Sequence, residues 1–174
     1  MSIVLNGTTG ITAPDIDVTA QTTVAAFDAG ITLGGSTTTL DDYEIGTHAS
    51  TLTTSGGQSF TLSTNTLSYQ KVGSLVHIQG QLVVSAVPTS PTGRLKISLP
   101  FAVGSGVTKE SASFVLSQGT AINSNQWGGF TSASTSEFNL YRLDSTSFGS
   151  GADNAGPVGV GDGFWVSITY ETTA

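Results

Sequence analysis

The stretch Ser74–Ser85, SLVHIQGQLVVS, decides how the rest of the chain is read. Val76, Ile78, Gly80, Leu82 and Val84 recur at every second position, while His77, Gln79 and Gln81 occupy the positions between. Successive side chains of a strand point to opposite faces, so this period of two predicts a strand with one apolar and one amide-rich face. Val83, beside Val84, leans to the polar face. The preceding Val72-Gly73 marks a turn, and LSYQKV before it alternates in the same way.

The pattern spreads outward from there. SFTLST precedes it; RLKISL, ASFVLS, WGGFTS, EFNLYRL and FWVSITYE follow, separated by clusters of Gly, Asn, Ser and Pro such as PTSPTG. In RLKISL, Leu95, Ile97 and Leu99 point one way and Arg94, Lys96 and Ser98 the other. In FWVSITYE, Phe164, Val166, Ile168 and Tyr170 share a face and Trp165 falls on the opposite one. About eight short strands with turn signals between them, and no alternation with helical patterns, predict an all-β fold: an antiparallel two-sheet β-sandwich of jelly-roll type. Composition agrees. The 174 residues include 27 Thr, 23 Ser and 22 Gly, types that favour strands and turns over helices. Only 10% are charged, against about 25% in ordinary soluble domains, so hydroxyls and amides must make the polar surface.

Charge divides the chain. Residues 1–50 hold six acids and no Lys or Arg, a net charge of −6, while residues 51–174 hold six acids against five basic residues, a net −1. The first part also lacks any sustained period. Its apolar residues, Ile3, Val4, Leu5, Ile11, Ile16, Val18, Val24, Phe27, Ile31 and Leu33, are irregularly spaced. A segment of that kind cannot offset its own ordering entropy of roughly 1–2 kcal/mol per residue. Residues 1–39 are therefore expected to form an extended arm that orders against a partner, residues 40–57 an acidic junction, and residues 58–174 the β-sandwich domain.

Chemistry finds little purchase. With no cysteine there is neither a disulfide framework nor a thiolate site. A net charge of −7 with five scattered cations speaks against nucleic acid, and no apolar run reaches membrane length or forms a secretory leader. Asp41, Asp42 and Glu44 sit too close together to converge on a cation from several directions, so they read as a solvated linker. Asp153 and Asp162 in DNAGPVGVGDG match no calcium-loop spacing and read as solvated loop acids. His48 and His77 lack a nucleophile motif. No catalytic residue, metal site or cofactor is expected. Trp127, Trp165, Tyr141 and Tyr43 are the aromatic candidates for stacking a sugar. The outward Trp165, with His77 and Val83, reads first as a subunit interface, with a sugar platform or local packing as the other options.

Particular motifs add a resemblance. The opening MSIVLNGTTGITAP, the acidic stretch Leu40–Thr47 (LDDYEIGT), the turn Tyr69–Gly73 (YQKVG), the strand Val76–Leu82 and the close Leu99–Phe101 (LPF) occur in that order. Together they resemble a β-sandwich module of bacteriophage virion proteins and the start of short tail-fibre and head-decoration proteins. The likeness covers residues 1–14 and 40–101. Where such proteins read G-T-W-T-P-T-L, this chain has Gly46 to Leu52 as GTHASTL, a difference that falls on the packing at the domain entrance. The resemblance implies a homotrimeric capsid decoration (cement) protein on the outer surface of the capsid, holding the major capsid protein through its arm. The alternative it implies is a tail-fibre or fibre-tip protein, bound to tail or baseplate proteins and recognising host surface glycans. Neither is an enzyme.

Overall fold

A computed structural model describes residues 31–32, 39–40, 43–106, 111–119, 126–143, 155 and 157–173. No helix occurs among them, and the fold is all-β and antiparallel throughout. Two short strands, β1 (Ile31–Thr32) and β2 (Thr39–Leu40), pair with each other. The other ten belong to one sheet: β3 (Tyr43–Ala49), β4 (Leu52–Thr54), β5 (Thr61–Thr64), β6 (Thr66–Val72), β7 (Leu75–Ala86), β8 (Leu95–Ser98), β9 (Ala112–Gln118), β10 (Gln126–Thr131), β11 (Glu137–Leu143) and β12 (Gly163–Glu171). Their lateral order is β3-β6-β7-β12-β9-β10-β11-β8-β4, with β5 continuing the β6 side of β7.

Alternation builds the ladder as expected. β7 buries Val76, Ile78, Leu82 and Val84 and pairs along its whole inner half with β12, from Leu75↔Glu171 to Val83↔Gly163. β12 buries Phe164, Val166, Ile168 and Tyr170 in turn. Gly80 takes φ +150°, and a Cβ there would lie 2.7 Å from Leu67 Cδ2. Only glycine lets β6 cross this closely where β7 changes partner from β6 to β5.

The two outermost strands, β3 and β4, are consecutive in the chain and joined by Ser50 and Thr51 alone. The three steps from Ala49 to Leu52 span at most about 11 Å, so the sheet bends until its opposite ends meet, although no ladder joins them and it stays open. Ser98 pins the meeting point. Its hydroxyl accepts the Thr51 N–H (2.9 Å) and lies 3.0 Å from His48 Nε2, while Ser50 Oγ donates to its carbonyl (2.8 Å). Bending encloses one core, in which Trp127 of β10 meets Phe164 of β12 edge to face at 5.6 Å.

Two expectations change. Residues 43–57, read as a junction, carry β3, β4 and the turn after it; Leu52 is fully buried and Thr54 nearly so. A three-residue strand has no room to display a period, and β3 shows its alternation against β6 rather than in its own apolar residues. The Gly-rich connection before β12, whose acids read from sequence as solvated, contributes Ala155 and Val158 to the core. Of the arm residues, Ile3, Val4, Leu5, Ile11, Ile16, Val18, Val24, Phe27 and Leu33 lie outside the described residues, and Ile31 enters as part of β1.

Candidate functional site

The residues of the motifs quoted above converge on one cluster at the open end of the sheet. Glu44 accepts a hydrogen bond from the Tyr69 hydroxyl, and this bond to the carboxylate, ahead of desolvation, holds the phenol above its usual pKa. Tyr69 lies flat over Gly46, where an added Cβ would sit 2.6 Å from the hydroxyl. The same ring meets Phe101 edge to face at 5.2 Å, and Lys71 Nζ stands 5.6 Å from the centre of the Phe101 ring. Tyr170 closes the cluster from β12. Its hydroxyl donates to the Phe101 carbonyl (3.1 Å) and accepts the Phe101 N–H (3.2 Å), and burial pushes its pKa up to about 12. The spacings E-x-G, Y-x-K and L-P-F are thus the parts of a packing joint. His48, standing where the resembling proteins have Trp, is half-buried with its Nε2 3.0 Å from the Ser98 hydroxyl; burial lowers its pKa against the opposing effect of the Ser98 backbone.

The surface expected to meet other subunits is a single face. Backbone register sets Thr169 opposite His77, Trp165 opposite Gln81, Gly163 opposite Val83, and Leu116 opposite Trp165. His77, Val83 and Trp165 therefore share the outer face of β3-β6-β7-β12-β9, with His77 four residues along β7 from the Trp165 row. Trp165 is 38% exposed and Leu116 72%. Glu171 at one end is the sole charged residue placed on this face among those described. His77 Nδ1 lies 2.9 Å from Thr169 Oγ1; the Gln70 and Gln79 amides beside it hydrogen-bond to no other described residue. Two open concavities lie on the face. Tyr43, Ile45, Thr47, Gln70, His77 and Gln79 line one of ≈ 390 Å³, and Gln81, Val83, Gln118, Val160 and Trp165 line the other of ≈ 580 Å³.

Three aromatic and acidic candidates change place. Trp127 is fully buried and is a core residue, packed edge to face on Phe164. Tyr141 stacks on Phe130 (5.3 Å, 16° between planes) and lies under the Arg94 guanidinium at 4.7 Å. Asp162 is fully buried, not solvated. Its Oδ2 accepts the Gly159 N–H (2.7 Å), its backbone pairs with Val84, and its Oδ1 packs where a Cβ on Gly119 would have to be. It shapes the turn that feeds β12. Asp41, Asp42 and Asp153 lie outside the described residues. Among the described residues no three His, Cys, Asp or Glu side chains converge as metal ligands, and no helix is long and apolar enough to cross a membrane. The Arg94–Tyr141–Phe130 stack carried no sequence signal beyond alternation. A scan against family models finds no match to this chain, and neither does a search of curated proteins.

Proposed function

We propose that this chain is a virion structural protein, a homotrimeric capsid decoration (cement) protein that sits on the outer surface of the capsid. One observation carries the assembly part: a sheet face nearly free of charge presents Trp165 and Leu116 to solvent, with Val83 half-buried beside them. Large exposed apolar side chains on an uncharged face characterise subunit contacts. His77 lies at the margin of that contact. Its two halves, folded over one core, are read as the two layers of a jelly-roll sandwich, and the bend at Ser50-Thr51 supports this.

Attachment to the particle belongs, in this reading, to residues 1–39, whose apolar side chains order against the major capsid protein. Each fully buried one would contribute roughly 1.5–3 kcal/mol before ordering costs, and three linked arms multiply a modest affinity. The resemblance to phage virion proteins supports the location. Deleting residues 1–39 should leave a folded trimer that no longer binds particles. Wild-type occupancy of particles by the truncated protein would refute the arm, and a stable monomer at micromolar concentration in light scattering would refute the trimer.

The concavity at Tyr43 favours a second reading, a tail-fibre protein that recognises host glycans. An exposed phenol ring beside the Gln70, His77 and Gln79 side chains, without formal charge, suits a neutral sugar. Copy number separates the two: hundreds per particle on the head for decoration, a few at the tail for adhesion.

A further inference from the structure

β3 is one outermost strand of the ten-stranded sheet. It pairs with β6 through seven consecutive residues, from Tyr43↔Val72 to Ala49↔Thr66, without a bulge. Its other edge pairs with no strand among the described residues. The opposite outermost strand, β4, is covered by its own chain: Thr53 bridges Ser59, and the Phe60 N–H donates to the Leu52 carbonyl. Strand edges that stay single are guarded by Lys, Pro, a bulge or shortness. β3, YEIGTHA, carries no Lys, Pro or bulge over its seven residues, and its one carboxylate, Glu44, is engaged by the Tyr69 hydroxyl; the strand presents Tyr43 at 66% and Ile45 at 63% exposure.

We propose that this edge pairs with the same edge of a second copy, antiparallel and centred on Gly46, so that the sheet continues across a twofold axis. The strand's own sequence argues for that occupant. A twofold at Gly46 sets Glu44 of each copy opposite His48 of the other, and Ile45 opposite Thr47, and Tyr43 opposite Ala49. Directly opposed side chains in an antiparallel pair stand about 5 Å apart at Cβ. On one face each acid thus stands opposite the other copy's imidazole, beside the Tyr69 and Ser98 contacts that Glu44 and His48 make within their own chain. On the other, the two exposed apolar side chains gain a β-branched and a methyl neighbour. Shifting the register by one residue would turn the outer row of one copy against the inner row of the other and lose both matches. Gly46 at the centre brings no side chain of its own, and each copy's Tyr69 ring covers it on the inner face. The pairing runs through the backbone edge of β3, three strands across the sheet from Trp165 on β12, so this contact goes beyond the trimer proposed above and does not depend on it.

Sedimentation velocity on the full chain and on Ile45→Lys tests the contact, because a lysine on this exposed position guards the edge without entering the core. Thermal melts establish that the variant is folded. Its mass should be about half that of the wild type at tens of micromolar, six chains falling to three if the trimer holds and two to one if it does not. Equal masses for the two proteins would overturn the proposal. Register is tested through the absence of native cysteine. Mild oxidation should link the Ile45→Cys/Thr47→Cys double variant into dimers and leave each single variant unlinked. Single variants that link as readily as the double would overturn the pairing about Gly46.

Discussion

The molecule has two outer faces, and they treat their polar groups differently. On the β10-β11-β8-β4 half, Lys96 bridges Glu137 at 2.8 Å, Arg94 covers Tyr141, and Tyr141 stacks on Phe130. Charges and rings there contact one another within the chain. The β3-β6-β7-β12-β9 half carries hydroxyls, amides and the exposed Trp165 and Leu116, with Gln70, Gln79 and Gln118 exposed among them. Both faces are built on strands of the same sheet and enclose the same core. A surface that consumes its own interactions is finished as it stands. One that leaves rings and amides unspent on a rigid scaffold has them available for another molecule. Low overall charge therefore does not mean a uniformly low-charge surface.

Four measurements would break or sharpen this contrast. The two tryptophans give the largest effect. Trp127→Ala should lower unfolding free energy by about 3–5 kcal/mol, as for any large core side chain, measured by denaturant titration. Trp165→Ala should leave unfolding of the separated subunit within about 0.5 kcal/mol but weaken self-association by 2 kcal/mol or more, about thirtyfold, if the ring is a central contact. A Trp165 variant with unchanged assembly would erase the distinction between the faces.

Next comes the joint between them. Gly46→Ala pushes a methyl into the Tyr69 hydroxyl at 2.6 Å, so it should cost about 1–3 kcal/mol by overpacking and release Tyr69 from Glu44. Near-wild-type stability with an unchanged phenol titration would show that the ring moves freely.

Smaller still is an alkaline effect. Tyr170 has a folded pKa of about 12 against an ordinary 10, so the unfolded chain loses its proton first as pH rises. Its contribution is fully present below pH 10 and is lost progressively between 10 and 12. The fall in melting temperature over that window should be shallower in Tyr170→Phe than in wild type. Identical slopes would mean that the phenol ionises in place.

Least of all is the surface pair. Lys96→Gln should cost no more than about 0.5 kcal/mol, since both partners are partly exposed, and raising salt should reduce the difference further. A cost several times larger would make the β10-β11-β8-β4 face a structural network rather than a self-satisfied surface.

The eight strands from Thr61 onward were legible because each displays its period over four or more residues, and His77, Val83 and Trp165 were placed on one face by the same count. β4 was hidden because three residues, Leu52-Thr53-Thr54, show no period, and its burial comes from the distant strand β8 (Leu52↔Ile97). Asp162 was misread for a related cause. A buried carboxylate is signalled by the backbone N–H that turns toward it, and Gly159 gives no hint of that in one dimension. The phage-like motif residues were legible as a pattern before their purpose was. Glu44 and Gly46 meet Lys71 and Tyr69 through the β3–β6 ladder, and Phe101 joins them from a distant loop, so only the fold makes the three segments neighbours.

The position of β12 has a consequence in time. It is the last strand in chain order, yet it lies between β7 and β9 in the middle of the sheet, and its partner residues on β7 stand 80 to 96 positions earlier. Until it arrives, β7 and β9 both present open edges, and the core side of β7 has no neighbour across from it. Contacts at such separation place a chain among slow folders, in the range of milliseconds to seconds. At a synthesis rate of about 5–20 residues per second, the strands made first wait several seconds for their central partner. Completion of the sheet therefore waits on β12, with the β7 and β9 edges exposed to aggregation in the interval, and helpers that shield open edges should raise its yield far more than its final stability.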